Sequence, residues 1–349
     1  EENIYVPELI FGVLKTGTSY DDDEKKVIGG KHGLGAKLTA IFSNEFIIET
    51  IDSENSLKYI QKFENNLSKK NKPKITKFKS KPYTKITFKP DLEKFETKSL
   101  NEDIYKLMKR RAYDIAACSP KDVSVFFNNE KLEIKTFEKY ADLFLGSKEE
   151  TPRIYETCND RWEIMAAPSQ NDQFEQISFV NNIYTSNGGK HVDYILDQIT
   201  KGLIELIQKK RKNITIKTSY VKENLWLFVK STIENPDFNS QTKETLTSAI
   251  KDFGSTCEIS KNFIKKLANT EIIEDILAIV ESKANKELKK TEGKKKGILK
   301  GIPKLDDANK AGKKESAKCK LLLTEGDSAK TFAVSGLSVI GRDYYGVFP

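Results

Sequence analysis

The chain has 349 residues, 38% of them hydrophobic and 32% charged, with a formal net charge of +8. That length holds two or three domains with cores of their own, and no apolar run reaches the roughly 18–20 residues of a membrane-spanning helix. Glu1-Glu2-Asn3 lacks the basic flank and apolar core of a signal peptide, and Cys118, Cys158, Cys257 and Cys319 form no CxxC pair beside a histidine, so reduced core thiols in a cytosolic or nuclear setting are expected rather than a zinc ribbon or a disulfide framework.

Residues 1 to 137 mix strands and helices. Gly29-Gly30-Lys31-His32-Gly33-Leu34-Gly35-Ala36-Lys37 is the strongest local signal of this half. Closely spaced glycines permit positive φ and bare the backbone N–H groups of an anion nest, and the apolar run behind them predicts a helix opening at the same place. Ala36 stands where a Walker loop needs lysine and no GxGxxG is present, so neither phosphate-loop fingerprint applies; a plain glycine turn is the other reading. Phe46 to Ile51 and Thr84 to Phe88 read as strands. Ser99-Leu100-Asn101-Glu102 reads as a capping box, opening a helix that buries Ile104, Leu107, Met108, Ala112 and Ile115 on one face.

Residues 138 to 285 form a second unit. Ile177 to Tyr184 and Leu225 to Phe228 read as strands. A helix from His191 to Lys210 has Val192, Ile195, Leu196, Ile199, Leu203, Leu206 and Ile207 on its apolar side, and another carries Ile272, Ile273, Ile276, Leu277 and Val280. Trp162 and Trp226 read as core. Lys209-Lys210-Arg211-Lys212 exceeds what a helix C-terminus attracts by its dipole, which makes a phosphate-backbone contact a reading of equal weight. Ser240-Gln241-Thr242-Lys243 lies in a polar loop, where a lysine beside small polar donors is either solvated or reaches a terminal phosphate. His32 and His191, the only histidines, share no spacing with a serine and an acid, against a Ser-His-Asp hydrolase.

Residues 286 to 318 read as a lysine-rich linker. Lys286, Lys289, Lys290, Lys294, Lys295, Lys296 and Lys300 favour a polyanionic partner, or are ordinary solvated lysines. From 319 to 349 a third unit begins. Leu321-Leu322-Leu323 reads as a short buried strand that delivers Glu325 at its tip ahead of a helix, where α/β folds place metal-binding carboxylates. A hard oxygen donor there suits Mg²⁺.

Read together, Tyr20-Asp21-Asp22-Asp23-Glu24-Lys25-Lys26, Gly29 to Lys37, Gly188-Gly189-Lys190-His191-Val192-Asp193-Tyr194, Ser240 to Lys243, Gly301-Ile302-Pro303-Lys304-Leu305-Asp306-Asp307-Ala308, Glu325-Gly326-Asp327-Ser328-Ala329-Lys330 and Gly341-Arg342-Asp343 closely resemble eukaryotic-type DNA topoisomerase II, of type IIA, in order and spacing over nearly the whole chain. The resemblance implies an α+β and α/β multidomain fragment: the C-terminal part of a GHKL ATPase domain, a ribosomal-S5-like transducer, and the start of a TOPRIM domain. It implies that Gly30, Lys31, His32, Gly33, Leu34, Gly35, Ala36 and Lys37 form an ATP lid, with Gly17, Thr18 and Ser19 near the nucleotide. Gln241, Thr242 and Lys243 would meet the terminal phosphate, Glu325 would bind Mg²⁺, and Lys209, Lys210, Arg211 and Lys212 would touch DNA.

ATP, Mg²⁺, double-stranded DNA and a second copy of the chain are therefore the expected cofactors and partners, in a nuclear or viral-cytoplasmic location. The family's lid motif Arg-Asn-Gly-Tyr-Gly is Lys31-His32-Gly33-Leu34-Gly35 here, and its Ser-Ser-Asn is Gly17-Thr18-Ser19. The family's general-base glutamate and Mg²⁺-binding asparagine are expected upstream of residue 1, and the remaining TOPRIM acids and the nucleophilic tyrosine downstream of Pro349. The fragment alone is accordingly expected to neither hydrolyse ATP efficiently nor cut DNA. A non-enzymatic or split-subunit DNA-binding module of the same family is the alternative, and a mismatch-repair or chaperone relative would lack the Glu325 block.

Overall fold

The fold is that of a computed structural model, which describes every residue except 1–3, 15, 17–23, 31–32, 212–213, 292–301 and 303. The chain divides into two compact units, residues 1–202 with 225–267 and residues 203–224 with 268–349.

The first unit opens with α1 (Val6–Gly12) and α2 (Gly35–Ile41). An antiparallel sheet follows, of β1 (Ser43–Asp52), β2 (Leu57–Glu64), β3 (Lys69–Lys70), β4 (Lys74–Lys77) and β5 (Thr84–Pro90). The order is β3-β2-β1-β5, with β4 also on β2. Phe46 stands opposite both Phe63 and Phe88. Because alternate strand residues share a face, Phe46, Ile48 and Phe63 gather with Ala40 of α2 into a core, and Phe11 packs against it.

The next helix, α3 (Glu102–Cys118), starts two residues later than the predicted capping box: Asn101 is the cap, its side chain accepting from the Ile104 amide at 3.0 Å. The predicted buried face is corrected too. Leu107, Met108 and Ile115 are exposed, and the helix buries Asp114, Ala116, Ala117 and Cys118 instead. Periodicity marks which face is apolar, not whether anything covers it. The hairpin of β6 (Phe126–Phe127) and β7 (Glu130–Lys131) turns on Asn128 and Asn129, both at positive φ. Next comes α4 (Phe137–Leu145), capped by Thr136. The Tyr140 hydroxyl donates to the buried Asp114 carboxylate at 2.5 Å, fastening α4 to α3.

A second sheet is built from β8 (Ile154–Asn159), β9 (Trp162–Pro168), β10 (Glu175–Val180), β11 (Ile183–Tyr184) and, beyond α5 (Lys190–Lys210) and α6 (Thr218–Glu223), β12 (Leu225–Ser231). The order is β11-β10-β12-β9-β8, with β10 and β12 parallel. The single strand predicted from Ile177 to Tyr184 is thus a hairpin. Asn181 and Asn182 both take positive φ, as a two-residue I′ turn requires. Met165, Ala167, Ile177, Phe179 and Phe228 pack against Phe137 and Tyr140 of α4. Trp162, on the other side of β9, meets Tyr194 of α5 at 5.9 Å between ring centroids. The apolar side of α5 is buried as its spacing predicts except at Leu206, which is half-buried, and Trp226, predicted as core, is only partly buried. The unit ends at α7 (Lys261–Ala268). Cys118 and Cys257 are buried, while Cys158 and Cys319 are partly exposed.

His191, near the start of α5, is fully buried with its Nε2 3.2 Å from the Thr185 hydroxyl, and burial pulls its pKa down to about 3. The unfolded imidazole takes a proton below about 6.5, whereas the folded one stays neutral to about 3. Unfolding therefore binds one extra proton in that window, and stability falls as pH drops through it. Replacing His191 with Gln is expected to flatten the pH dependence between 6.5 and 3 by up to about 1.4 kcal/mol per pH unit, read from urea melts of both proteins. Parallel curves would refute the assignment.

In the second unit, α6 packs on α8 (Ile272–Thr291), with Lys283 Nζ 4.0 Å from the centre of the Tyr220 ring. Helix α8 runs into the segment expected as linker. Farther on, Lys310 is held by Glu315 at 2.7 Å and the Tyr344 hydroxyl at 2.8 Å. At the end, β13 (Lys320–Leu323) and β14 (Tyr345–Phe348) pair in parallel, joined by α9 (Gly326–Ile340). Asp306 exchanges both backbone hydrogen bonds with Val347, which straps the chain at that residue onto β14. The strand predicted at Leu321 to Leu323 is present, but those leucines are exposed, Leu323 by 76%. The correction has a simple cause: a two-stranded sheet with one helix has too little surface to cover both faces.

Candidate nucleotide site

The approach to the glycine-rich segment is fixed by asparagines. Asn235 receives the Lys26 amide on its side-chain oxygen at 3.0 Å and donates its own amide to the Lys26 carbonyl at 2.8 Å. Asn181 uses its side chain in both directions, donating Nδ2 to the Ile233 carbonyl and accepting the Ile233 amide on Oδ1, each at 2.8 Å, and Nδ2 also reaches the Ile28 carbonyl at 3.4 Å. An asparagine side chain carries donor and acceptor side by side, so it substitutes for a strand neighbour where the backbone has none. At Gly29 an added Cβ would sit 2.2 Å from Ile183 Cδ1, so any side chain there would have to displace the Ile183 side chain.

Opposite lies the loop from Phe238 to Leu246, closed by a bridge between those two residues. Asn239 ties its ends, donating its amide to the Thr245 carbonyl at 3.1 Å and accepting the Thr245 amide on its side chain at 3.2 Å. The Lys243 amide donates to the Ser240 carbonyl at 3.1 Å, with Lys243 itself at φ 59°. The Gly188-Gly189 pair seats this loop: Leu246 bonds the Gly188 carbonyl through its amide at 3.0 Å and the Lys190 amide through its carbonyl at 3.1 Å. Gly189 has φ 128°, and a Cβ there would lie 2.3 Å from the Leu246 carbonyl oxygen.

Between the two segments is a cavity of about 530 Å³, lined on one side by Gly29, Gly30, Gly33, Leu34 and Gly35 and on the other by Pro236, Asp237, Phe238, Ser240, Gln241 and Lys243, with Ile183 between them. That volume suits a small-molecule ligand. Lys243 Nζ spans it and donates to the Gly29 carbonyl at 2.5 Å, and burial lowers the ammonium's pKa. A cation withdrawn from water onto a neutral carbonyl gains much from an anion alongside it. The residues present thus fit a phosphate group.

Of the residues predicted for nucleotide binding, Gly30, Gly33, Leu34, Gly35, Gln241 and Lys243 meet at this cavity. Lys37 does not: its side chain is buried, its ammonium donates to the Thr16 hydroxyl at 2.6 Å, and burial lowers its pKa. Ala36 is exposed on α2, and the Thr242 hydroxyl pairs with that of Ser240 at 2.8 Å rather than lining the wall. Gly17, Thr18, Ser19, Lys31 and His32 lie outside the described residues. Gly29 and Ser240, which flank the predicted residues within the two marked segments, also line the cavity, and Ile183, Pro236, Asp237 and Phe238 line it without having been predicted.

Glu325 is exposed at the N-terminal end of α9. Among the described residues no three His, Cys, Asp or Glu side chains group as a metal site, so these residues do not by themselves fit a bound Mg²⁺. Lys209, Lys210 and Arg211 are exposed, Arg211 facing Glu281 at 3.5 Å, and Lys212 lies outside the described residues. Among the described residues no helix is long and apolar enough to cross a membrane.

Comparison with known proteins gives this geometry a family. Residues 126–296 match the family model of DNA gyrase B. The crystal structure of the ATPase region of Saccharomyces cerevisiae topoisomerase II is 49% identical, with a TM-score of 0.74 over 80% of this chain and 72% of that one. The ATPase and transducer domains of DNA topoisomerase II from Balamuthia mandrillaris are 42% identical, with a TM-score of 0.76 over 81% of this chain and 72% of that one. The architecture is thus that of a type II topoisomerase's ATPase and transducer region. DNA topoisomerase 2 of Arabidopsis thaliana is 50% identical across the whole of this chain, and the chain spans 24% of that relative's length. The chain belongs to the eukaryotic-type DNA topoisomerase II family.

Proposed function

We propose that this chain is the part of an ATP-dependent type IIA topoisomerase that senses the nucleotide's terminal phosphate and passes its state to the rest of the molecule. The observation that carries the reading is the Lys243 ammonium reaching the Gly29 carbonyl across the cavity at 2.5 Å. One side chain there joins the glycine-rich lid to the Gln241-Thr242-Lys243 loop. With ATP bound, Lys243 and Gln241 hold the terminal phosphate while the amides of Gly30 to Gly35 enclose it. After hydrolysis that tie is lost and the two segments part, a two-state element biased by one charge-assisted contact.

The full polypeptide changes DNA topology by double-strand cleavage, passage and religation, acting as a homodimer on duplex DNA. Lys209, Lys210, Arg211 and Lys212 contact phosphates, and Glu325 is one oxygen donor among the several that Mg²⁺ requires. The test is relaxation of supercoiled plasmid and decatenation of linked circles by the full-length polypeptide that carries this segment. ATP-dependent conversion of both substrates is the expected result. Full conversion without ATP would remove the proposal.

A further inference from the structure

We propose that the lysine-rich surface presented by β3, β4, β5 and the turns between them is a second contact for the phosphate backbone of duplex DNA, separate from Lys209 to Lys212. This rests on the reading that the chain acts on DNA. From Asn65 to Pro90 there are nine lysines and no aspartate, glutamate or arginine. These nine charges form one of two concentrated basic stretches in a chain of net charge +8, the other being the lysine-rich run from Lys286 to Lys300. Every residue from Lys74 to Lys89 is exposed.

The neighbouring strands behave differently. On β1 and β2 the lysines are matched: Lys58 with Glu49 at 2.8 Å, and Lys62 with Glu45 at 2.6 Å and Glu64 at 3.0 Å. These same carboxylates take Lys69 at 2.9 Å and Lys89 at 3.1 Å. Among the described residues Lys70, Lys72, Lys74, Lys77, Lys79 and Lys81 make no ion pair or side-chain hydrogen bond. Edge strands carry lysine to block pairing with other sheets, but one or two suffice for that. Lys72, Lys79 and Lys81 stand in turns where there is no strand edge to protect.

Phe78 and Tyr83, exposed by 43% and 39%, are interleaved with these lysines and give the surface apolar ground between its charges. Unpaired ammonium groups on a solvent-open face match a phosphate polyanion, whose bound counterions they would release.

The test is binding of the 349-residue chain to a 30-base-pair duplex, by fluorescence anisotropy between 50 and 200 mM salt. One variant carries Lys72, Lys74, Lys79 and Lys81 each changed to Gln; a second carries the same four changed to Arg; a third carries Lys209, Lys210 and Arg211 changed to Gln. Each phosphate contact contributes about 0.9 to the slope of log affinity against log salt. The first variant is expected to lose about 3 to 4 from that slope and to bind about 10²-fold more weakly at 100 mM, with unchanged thermal melting, and the Arg variant to bind as the parent does. Parent-like binding by the first variant, with the third weakened, overturns this inference and leaves the proposed function standing. No duplex binding by the parent chain at 50 mM overturns both. Loss of binding to phosphatidylserine vesicles with duplex binding retained would place a membrane there and overturn the inference as well.

Discussion

Changing Lys243 to Gln is expected to lower ATP turnover by the full-length polypeptide about 10²–10³-fold, the usual loss when a charge-stabilising group is removed from a reacting centre. Folding should barely change. The substitution removes the cost of holding an ammonium half out of water, which its depressed pKa records, and forfeits one hydrogen bond to the Gly29 carbonyl. These opposing effects are each on the order of 1 kcal/mol, so the melting temperature should shift by a few degrees at most. Steady-state turnover and thermal melting on the same preparation check both halves. Unchanged turnover would make Lys243 an ordinary partly buried lysine.

The second large effect is expected at Gly189. A methyl group there meets the Leu246 carbonyl oxygen at 2.3 Å and the Leu246 amide nitrogen at 2.6 Å. Both are backbone atoms, which cannot swing aside as a flexible side chain would, and φ 128° is hostile to any L side chain. Gly189→Ala should cost about 2–3 kcal/mol and push the 238–246 loop from its seat. A displacement near 1 Å can cost about 10² in rate, so ATP turnover should fall about as far as in Lys243→Gln, though Gly189 touches no cavity wall. Gly188→Asn is the control. Its φ of 70° is one asparagine tolerates, and its nearest neighbour is a Val192 methyl at 3.3 Å. It should cost under about 1 kcal/mol. Equal effects at the two glycines would contradict the seating argument.

The ingredients of the site were readable as chemistry before they could be joined. Glycine spacing predicted a backbone-lined turn from Gly29 to Gly35, and a lysine among small polar residues marked the Gln241-Lys243 loop. Nothing local says that residues 214 positions apart share a hydrogen bond; the resemblance to a family implied only that both segments meet the nucleotide's phosphates, and the direct Lys243–Gly29 contact was not expected. Lys37 shows the limit. It sits in the same run as the lid glycines, yet its long stem folds back onto Thr16. The strand and helix periods were read well where two layers cover an element, as in α5. They failed where an apolar face has no cover in the described residues, at Leu107 and Met108 of α3 and at Leu321 to Leu323 of β13. The Asn181-Asn182 hairpin was hidden because the flanking residues read as one apolar strand, and only the positive φ at both asparagines separates them.

The most direct test of the central claim, that Lys243 reads the terminal phosphate, is a comparison of two nucleotides. Dissociation constants for a non-hydrolysable ATP analogue and for ADP are measured by calorimetry on the full-length polypeptide and its Lys243→Gln variant. The account predicts that the variant loses at least about tenfold in affinity for the triphosphate, equivalent to about 1.4 kcal/mol, while ADP binds both proteins alike. Equal loss for both nucleotides, or none for either, would contradict it.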